Sequence, residues 1–270
     1  MSALGSALAD GAVIAQRNLI KVRRVPDLLI GSTLSPIMFI VLFAYVFGSA
    51  IEAPPGVSYR EFLVPGIFAQ TVIFGATITG SGLADDMQKG IIDRFRSLPI
   101  SPSAVLVGRT TSDLLGNVLV IVVMSLTGLA VGWRIRDGAV EAALGFLVLL
   151  AFAYALSWVM ALVGLLVRSP ETFNQAVFIV IFPITFIANT FVPTNGFPTV
   201  LKVIADWNPV SSVTQAAREL FGNTTPEADA MLSDAWPMQN PALYTLLWAV
   251  LLVVVFVPLS TRQYRRATSR

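Results

Sequence analysis

Cysteine and histidine are both missing from the 270 residues, and charged side chains are scarce. Without cysteine there is no disulfide and no thiolate metal site. Without histidine the commonest general base and metal ligand is gone. Asp, Glu, Lys and Arg make up 13% of the chain, against roughly 25% in soluble globular proteins. The charge that a soluble surface needs is therefore half missing. A phosphate-binding loop is missing too, because it needs a lysine directly after a glycine, followed by Ser or Thr. Lys21, Lys89 and Lys202 are the only lysines, and none follows a glycine, so the chain does not hydrolyse ATP by that route.

What remains is apolar and unevenly spread. Hydrophobic residues are 55% of the chain and the mean hydropathy is +0.75. Leu28–Ala50, Phe62–Ala84, Leu114–Gly132, Ala142–Val167, Phe173–Val192 and Pro241–Ser260 contain no Asp, Glu, Lys or Arg. Each is about 20 residues or more, enough at about 1.5 Å per residue to cross a hydrocarbon core of about 30 Å. The expected fold is an all-α integral membrane domain over 1–270 with six transmembrane helices at 28–50, 62–84, 103–132, 140–167, 173–193 and 241–261. Residues 1–25 lack the apolar stretch of a cleaved signal, so the first span is expected to stay as an anchor.

Six spans put both termini on one side. With the N-terminus in the cytoplasm, that side carries Arg17, Lys21, Arg23, Arg24, Lys89, Arg94, Arg96, Arg109, Arg168, Arg262, Arg265, Arg266 and Arg270. The outside keeps Arg60, Arg134, Arg136, Lys202 and Arg218. The positive-inside rule therefore makes both termini cytoplasmic. Ahead of the first span, within residues 1–27, Leu8, Ala12, Ala15, Leu19 and Val22 recur at helical spacing, with Arg17, Lys21 and Arg24 opposite. That pattern, flanked by Arg23, predicts an amphipathic helix lying on anionic headgroups.

The third span starts at a cap signal, Ser101-Pro102, and its first turns carry Arg109 and Asp113 at i, i+4, the spacing of a structural ion pair. Gly128 and Gly132 near its far end have the spacing of a close helix–helix contact. The segment 194–240 shows two short apolar faces, Val200, Val203, Ile204 and Trp207, then Val213, Ala217, Leu220 and Phe221. Two short helices dipping back into the outer leaflet account for both, with an exposed loop over 222–240. Irregular backbone at that depth needs protein or water to satisfy it.

Between spans two and three, residues 85–101 concentrate charge around Ile91, Ile92, Phe95 and Leu98, which recur at spacings of three and four before Pro99. A short amphipathic helix follows, either resting on headgroups or fitting a groove of a partner protein. Catalysis by the acidic residues needs converging carboxylates for magnesium. Asp85, Asp86 and Asp93 have no second acidic cluster to face, which argues against a membrane enzyme. Ion-driven carriers keep ionisable groups within their spans, and the six runs hold none. A passage powered by a separate engine fits these absences best. An ATP-independent carrier is the alternative.

The run Lys89-Gly90-Ile91-Ile92-Asp93-Arg94-Phe95-Arg96-Ser97-Leu98-Pro99-Ile100-Ser101, followed by Gly108-Arg109 and Asp113, resembles the coupling segment of ABC-2 type permeases. Within that family the chain looks most like the daunorubicin-resistance B-type branch. Trp207-Asn208-Pro209 followed by Ala217-Arg218 is similar to the family's motif before the last span. The resemblance implies a type V exporter-like fold, with two permeases, either two copies or paralogues, and two ATPase subunits. ATP and magnesium would be held by the ATPases, leaving this chain without a catalytic site, cofactor, metal or nucleic-acid partner. It implies a bacterial plasma-membrane location among membrane lipids.

The resemblance also assigns ATPase contact to Lys89, Gly90, Ile91, Ile92, Asp93, Arg94, Phe95 and Arg96, and a supporting platform to Arg17, Lys21, Arg23 and Arg24. The passage would run between the permeases along spans two and five, past Thr71, Thr77, Phe178, Phe182, Phe186 and Asn189. Ordinary helix packing would use the same residues. Such a lining suits an amphiphilic drug, antibiotic or lipid; a lipid-linked glycan is the alternative cargo.

Overall fold

Alternating apolar runs and helix-capping signals organise the chain into a bundle of packed helices. The computed structural model describes residues 26–91 and 102–267. α1 (Pro26–Leu42) runs directly into a π-helical turn, Phe43–Phe47. Then come α2 (Tyr59–Gln88), α3 (Pro102–Val131), α4 (Ala139–Leu166) and α5 (Pro170–Ile187). A 3-10 turn at Thr194–Gly196 leads to α6 (Thr199–Asp206) and α7 (Pro209–Leu220). Two single-turn helices, α8 (Pro226–Asp229) and α9 (Trp236–Gln239), precede α10 (Pro241–Ala267). The described residues contain no strand.

The helix starts are written locally. Ser58 accepts from the Glu61 backbone N–H and donates to the Glu61 carboxylate, an N-cap that opens α2. Ser169 caps α5 and Asn208 caps α7, each followed by proline at the first helical position. Three helix ends use glycine with positive φ, Gly90 at +64°, Gly132 at +104° and Gly222 at +67°. After α3, Trp133 N–H donates to the Gly128 carbonyl at 2.9 Å, the return bond of a Schellman turn. Gly132 is therefore a helix stop and not half of a packing pair, because its backbone conformation is one that side-chain-bearing residues avoid.

Among the described residues five helices are long and apolar enough to cross a membrane: Tyr59–Gln88, Val105–Val131, Ala139–Leu166, Pro170–Ile187 and Pro241–Arg266. The run at 28–50 is helical through Phe47, and its apolar stretch Thr33–Phe47 is shorter than those five. α2 is the axis of the bundle and packs against α3, α4, α5 and α7. Its spanning stretch is 78% buried, against 22% for α5 and 11% for α10. The core is built on Leu63, Ile67, Phe68, Val72 and Ile73 of α2. Phe68 stacks edge-on to Trp133 at 5.2 Å, and Trp133 edge-on to Phe221 at 5.4 Å. That contact holds the ends of α3 and α7 against the bundle centre.

Three expected boundaries move by more than one turn, one of them the end of the last helix, which runs past 261 to Ala267. The helix expected over 173–193 stops at Ile187, and Ala188 is extended. Pro183 lies inside α5, and the carbonyls left free near its end are taken by side chains. Residues 85–88, expected to belong to a separate short helix, are the last turn of α2. Asp85 and Asp86 thereby sit on a helix anchored in the membrane domain, and Lys89 caps its end.

Candidate functional site

Three features of this bundle carry chemistry beyond apolar packing. The first is a ladder of phenylalanine rings. Phe178, Phe182 and Phe186 lie one turn apart on α5, with centroid separations of 4.9 and 4.2 Å. Phe186 meets Phe191 at 5.0 Å, and Phe191 meets Phe43 of the π turn at 4.8 Å. Phe39 and Phe47 extend the ladder along α1, at 5.9 and 5.0 Å from Phe43. The ladder is buried at Phe191 and open at Phe178, which is 54% exposed. Tyr59 Oη donates to the Phe191 carbonyl at 3.1 Å and fixes its middle rung.

The second is a buried polar seam between α7 and the unwound end of α5. Ser211, Thr214 and Arg218 share one face of α7 and are all buried. Arg218 Nε donates to the Phe62 carbonyl at 2.9 Å, and Nη2 donates to the carbonyls of Asn189 at 2.7 Å and Thr190 at 3.3 Å. The guanidinium lies 3.6 Å from the Phe62 ring centroid, a cation–π contact. Ser211 Oγ accepts from Asn189 N–H, while Asn208 Nδ2 donates to the Ile184 carbonyl at 2.8 Å. The carbonyls and N–H released where α5 stops are thus satisfied by side chains of Asn208 and α7. A cavity of about 40 Å³ adjoins the seam, lined in part by Phe62, Asn189, Gln215 and Arg218. Its size suits a few water molecules. Beside it, burial raises the Glu219 carboxyl to about 7, although Gln215 donates to it at 3.2 Å.

The third is a charged junction where α2 ends and α3 begins. Arg109 Nε is 3.3 Å from Asp113 Oδ2, and Arg109 Nη1 is 3.3 Å from Asp86 Oδ2 on α2. Thr79 Oγ1 donates to Asp113 Oδ2 at 2.7 Å. Lys89 pairs with Asp85 at 2.7 Å in solvent, and that carboxylate raises the pKa of the lysine. Gly90 then turns the chain out of α2, and Ile91 is half-buried. Ile92, Asp93, Arg94, Phe95 and Arg96 lie outside the described residues, as do Arg17, Lys21, Arg23 and Arg24.

The residues expected to line a passage separate into two groups. Thr71 is buried on α2, and Thr77 donates to the Phe74 carbonyl of its own helix at 2.6 Å. The glycines of α2 make room for neighbours inside the same chain. A Cβ at Gly66 would collide with the Thr190 carbonyl, and one at Gly80 with the Met160 carbonyl and Phe173. α2 is therefore largely enclosed by helices of its own chain, because small residues let them close around it. Phe178 and Phe182 do face outward, Phe186 is half-buried within the ladder, and Asn189 is buried in the seam. The sequence places Arg218 in a family motif and Asp86 in a charged loop, without identifying a partner for either. The spacing of Ser211, Thr214 and Arg218, three and four residues apart on one face of α7, is the signal for the buried role of Arg218. Among the described residues no group of three or more carboxylates could hold a metal ion.

Residues 11–221 match the family model for the ABC-2 type transporter. The chain belongs to the ABC-2 transporter family. Across 249 residues this ABC-2 chain is 33% identical to the daunorubicin resistance ABC transporter permease protein DrrB1 of Streptomyces coeruleorubidus, covering 92% of this chain and 83% of the relative. It is 28% identical over 247 residues to the doxorubicin resistance ABC transporter permease protein DrrB of Mycobacterium tuberculosis H37Rv, covering 87% and 83%. The probable doxorubicin resistance permease DrrC of the same strain is 25% identical over 241 residues, covering 89% and 82%. These ABC-2 relatives cover nearly the whole helical domain, both the charged junction and most of the polar seam included.

Proposed function

We propose that this chain is the permease subunit of an exporter that carries amphiphilic drugs, antibiotics or lipids out of the cell, driven by separate ATPase subunits. The phenylalanine ladder carries the cargo half of this reading. Seven stacked rings join α5 to α1, and the open end at Phe178 and Phe182 presents aromatic faces among apolar neighbours. Stacked rings favour flat or amphiphilic molecules over sugars and ions. The passage in this reading follows α5 and α1, with α2 behind it as the fixed axis.

In the same reading α1 is a sixth span, α6 and α7 form a re-entrant pair on the outer side, and both termini face the cytoplasm of a bacterial cell. Two permeases, copies or paralogues, stand on two ATPases. Lys89 to Arg96 form the main contact and Arg17 to Arg24 the platform. ATP binding moves the pair by favouring one of its states.

The test is reconstitution of this chain with its ATPase in liposomes, following efflux of a fluorescent anthracycline such as daunorubicin. ATP-dependent efflux that Phe95→Ala abolishes, with insertion intact, supports the reading. Solute movement by the lone chain without ATP replaces it with the carrier alternative.

A further inference from the structure

α2 and α3 are the two stems of the segment 92–101, and the Arg109 guanidinium bridges them. Arg109 contacts Asp86 on one stem and Asp113 on its own, while Thr79 of α2 donates to the same Asp113 oxygen. Asp86, Arg109, Asp113 and Thr79 thus form a chain of contacts that crosses between the helices twice, spanning two turns of α2. The side chains of Arg109, Asp86 and Asp113 are 21%, 21% and 14% exposed, so salt screens them less than a surface pair.

Gly82, on the same face of α2 between Thr79 and Asp86, is the seat of this guanidinium. A Cβ there would coincide with Arg109 Nη2. Nearby, Gly164 of α4 presses on the Gly80 carbonyl and Phe173 of α5 lies against Gly80, so α2 is wedged on its other side as well. Leu83, Leu106, Trp158, Leu165 and Tyr264 form a separate apolar cluster around the junction, drawing α2, α3, α4 and α10 together.

Apolar helix contacts resist separation but permit small sliding. A guanidinium held on two sides fixes axial register, because its Nε and Nη donors stand in a rigid fork that an ammonium cannot reproduce. We propose that Arg109, seated on Gly82, is a positioning residue for coupling: it staples the stems so that displacement of the segment between them moves α2 and α3 as one body. The inference rests on the permease reading above.

The experiment uses the full chain in lipid nanodiscs and liposomes with its ATPase. Because the sequence has no cysteine, Ile78→Cys with Leu115→Cys places two spin labels at unique, exposed sites, one on each stem. The expected result is one narrow distance between labels with Arg109 present, and a broadened distribution in Arg109→Lys and in Gly82→Ala. The amount transported per ATP is expected to fall about threefold to thirtyfold in both, the range that single residues produce in coupling, with the ATPase still bound. Gly82→Ala leaves every charge in place, so it separates loss of the seat from loss of charge. Narrow distances in both variants overturn the proposal. A broadened distance with unchanged transport per ATP overturns it equally, since the staple then has no part in coupling. If the unaltered chain shows no ATP-driven transport, the permease reading fails, while the distances alone still decide whether the staple exists.

Discussion

Arg218 Nη2 donates to the backbone carbonyl of Asn189 at 2.7 Å from a side chain that is only 2% exposed. Together with the bonds to Phe62 and Thr190, this contact ties α7 to the start of α2 and the end of α5. A buried cation supported by carbonyl dipoles and a ring face is costly to disturb, because any smaller group leaves those carbonyls without donors.

Replacing Arg218 with Met, close in length but without donors, is therefore expected to destabilise the domain by about 2–4 kcal/mol, since charge-assisted bonds are lost and buried acceptors are orphaned. Thermal unfolding in detergent measures it. A melting temperature equal to the unaltered protein's would show that the seam contributes nothing to stability.

Gly66 stands where the Thr190 carbonyl crosses α2. Gly66→Ala is expected to cost about 1–3 kcal/mol through overpacking, and Gly66→Val more. The yield of monodisperse protein after solubilisation reports this. Gly116, whose Cβ would meet nothing within 4 Å, is the matched control, and Gly116→Ala is expected to leave the yield unchanged or improve it.

Phe182 is the rung between Phe178 and Phe186. Phe182→Ala removes two ring–ring contacts worth about 0.5–1.5 kcal/mol each beyond their area. Transport of aromatic amphiphiles is expected to show a KM raised about fivefold or more, the factor that about 1 kcal/mol represents. Unaltered KM in vesicle efflux would remove the ladder from the passage.

Glu219 gives the domain a pH dependence. Its folded-state carboxyl is raised to about 7 by burial, above the ordinary value of about 4.5, so the folded state holds a proton that the unfolded chain has released. Stability is fully present below about pH 4.5 and declines as pH rises through 7. The loss from this group is about 1–2 kcal/mol, discounted for the solvent contact the carboxylate keeps. Melting temperatures between pH 5 and 8 should fall in the unaltered protein and fall less in Glu219→Gln. Parallel profiles would assign the slope to other groups.

Much of the fold is legible in the charge-free runs, because a helix crossing a membrane has to be apolar along its whole length. Ser169-Pro170 and Asn208-Pro209 announce their helices through local bonding that needs no tertiary context. The end of α5 is different. Nothing in Ile184–Val192 marks a break, since the groups that make it tolerable are Asn208, Ser211 and Arg218, about twenty to thirty residues away. Gly82 likewise reads as a generic small residue until Arg109 is seen lying on it. Asp86 is read as loop charge because helix α2 continues past the apolar run by more than a turn. The sequence shows which residues avoid lipid; it does not show which distant partner lets them do so.

The fastening of α7 has a practical side. Asn223 accepts from Trp133 Nε1 at 2.6 Å and donates to the Arg134 carbonyl, so the chain is clamped before it enters the loop of residues 224–240. α10 then begins at Pro241, with Tyr244 Oη bonded back to the Trp207 carbonyl. Between these two clamps Asp234 is exposed, whereas Ala228, Pro237 and Met238 are buried against the bundle. A short epitope inserted beside the exposed Asp234 should leave folding untouched and report, by antibody access in intact cells, which side of the membrane this loop occupies.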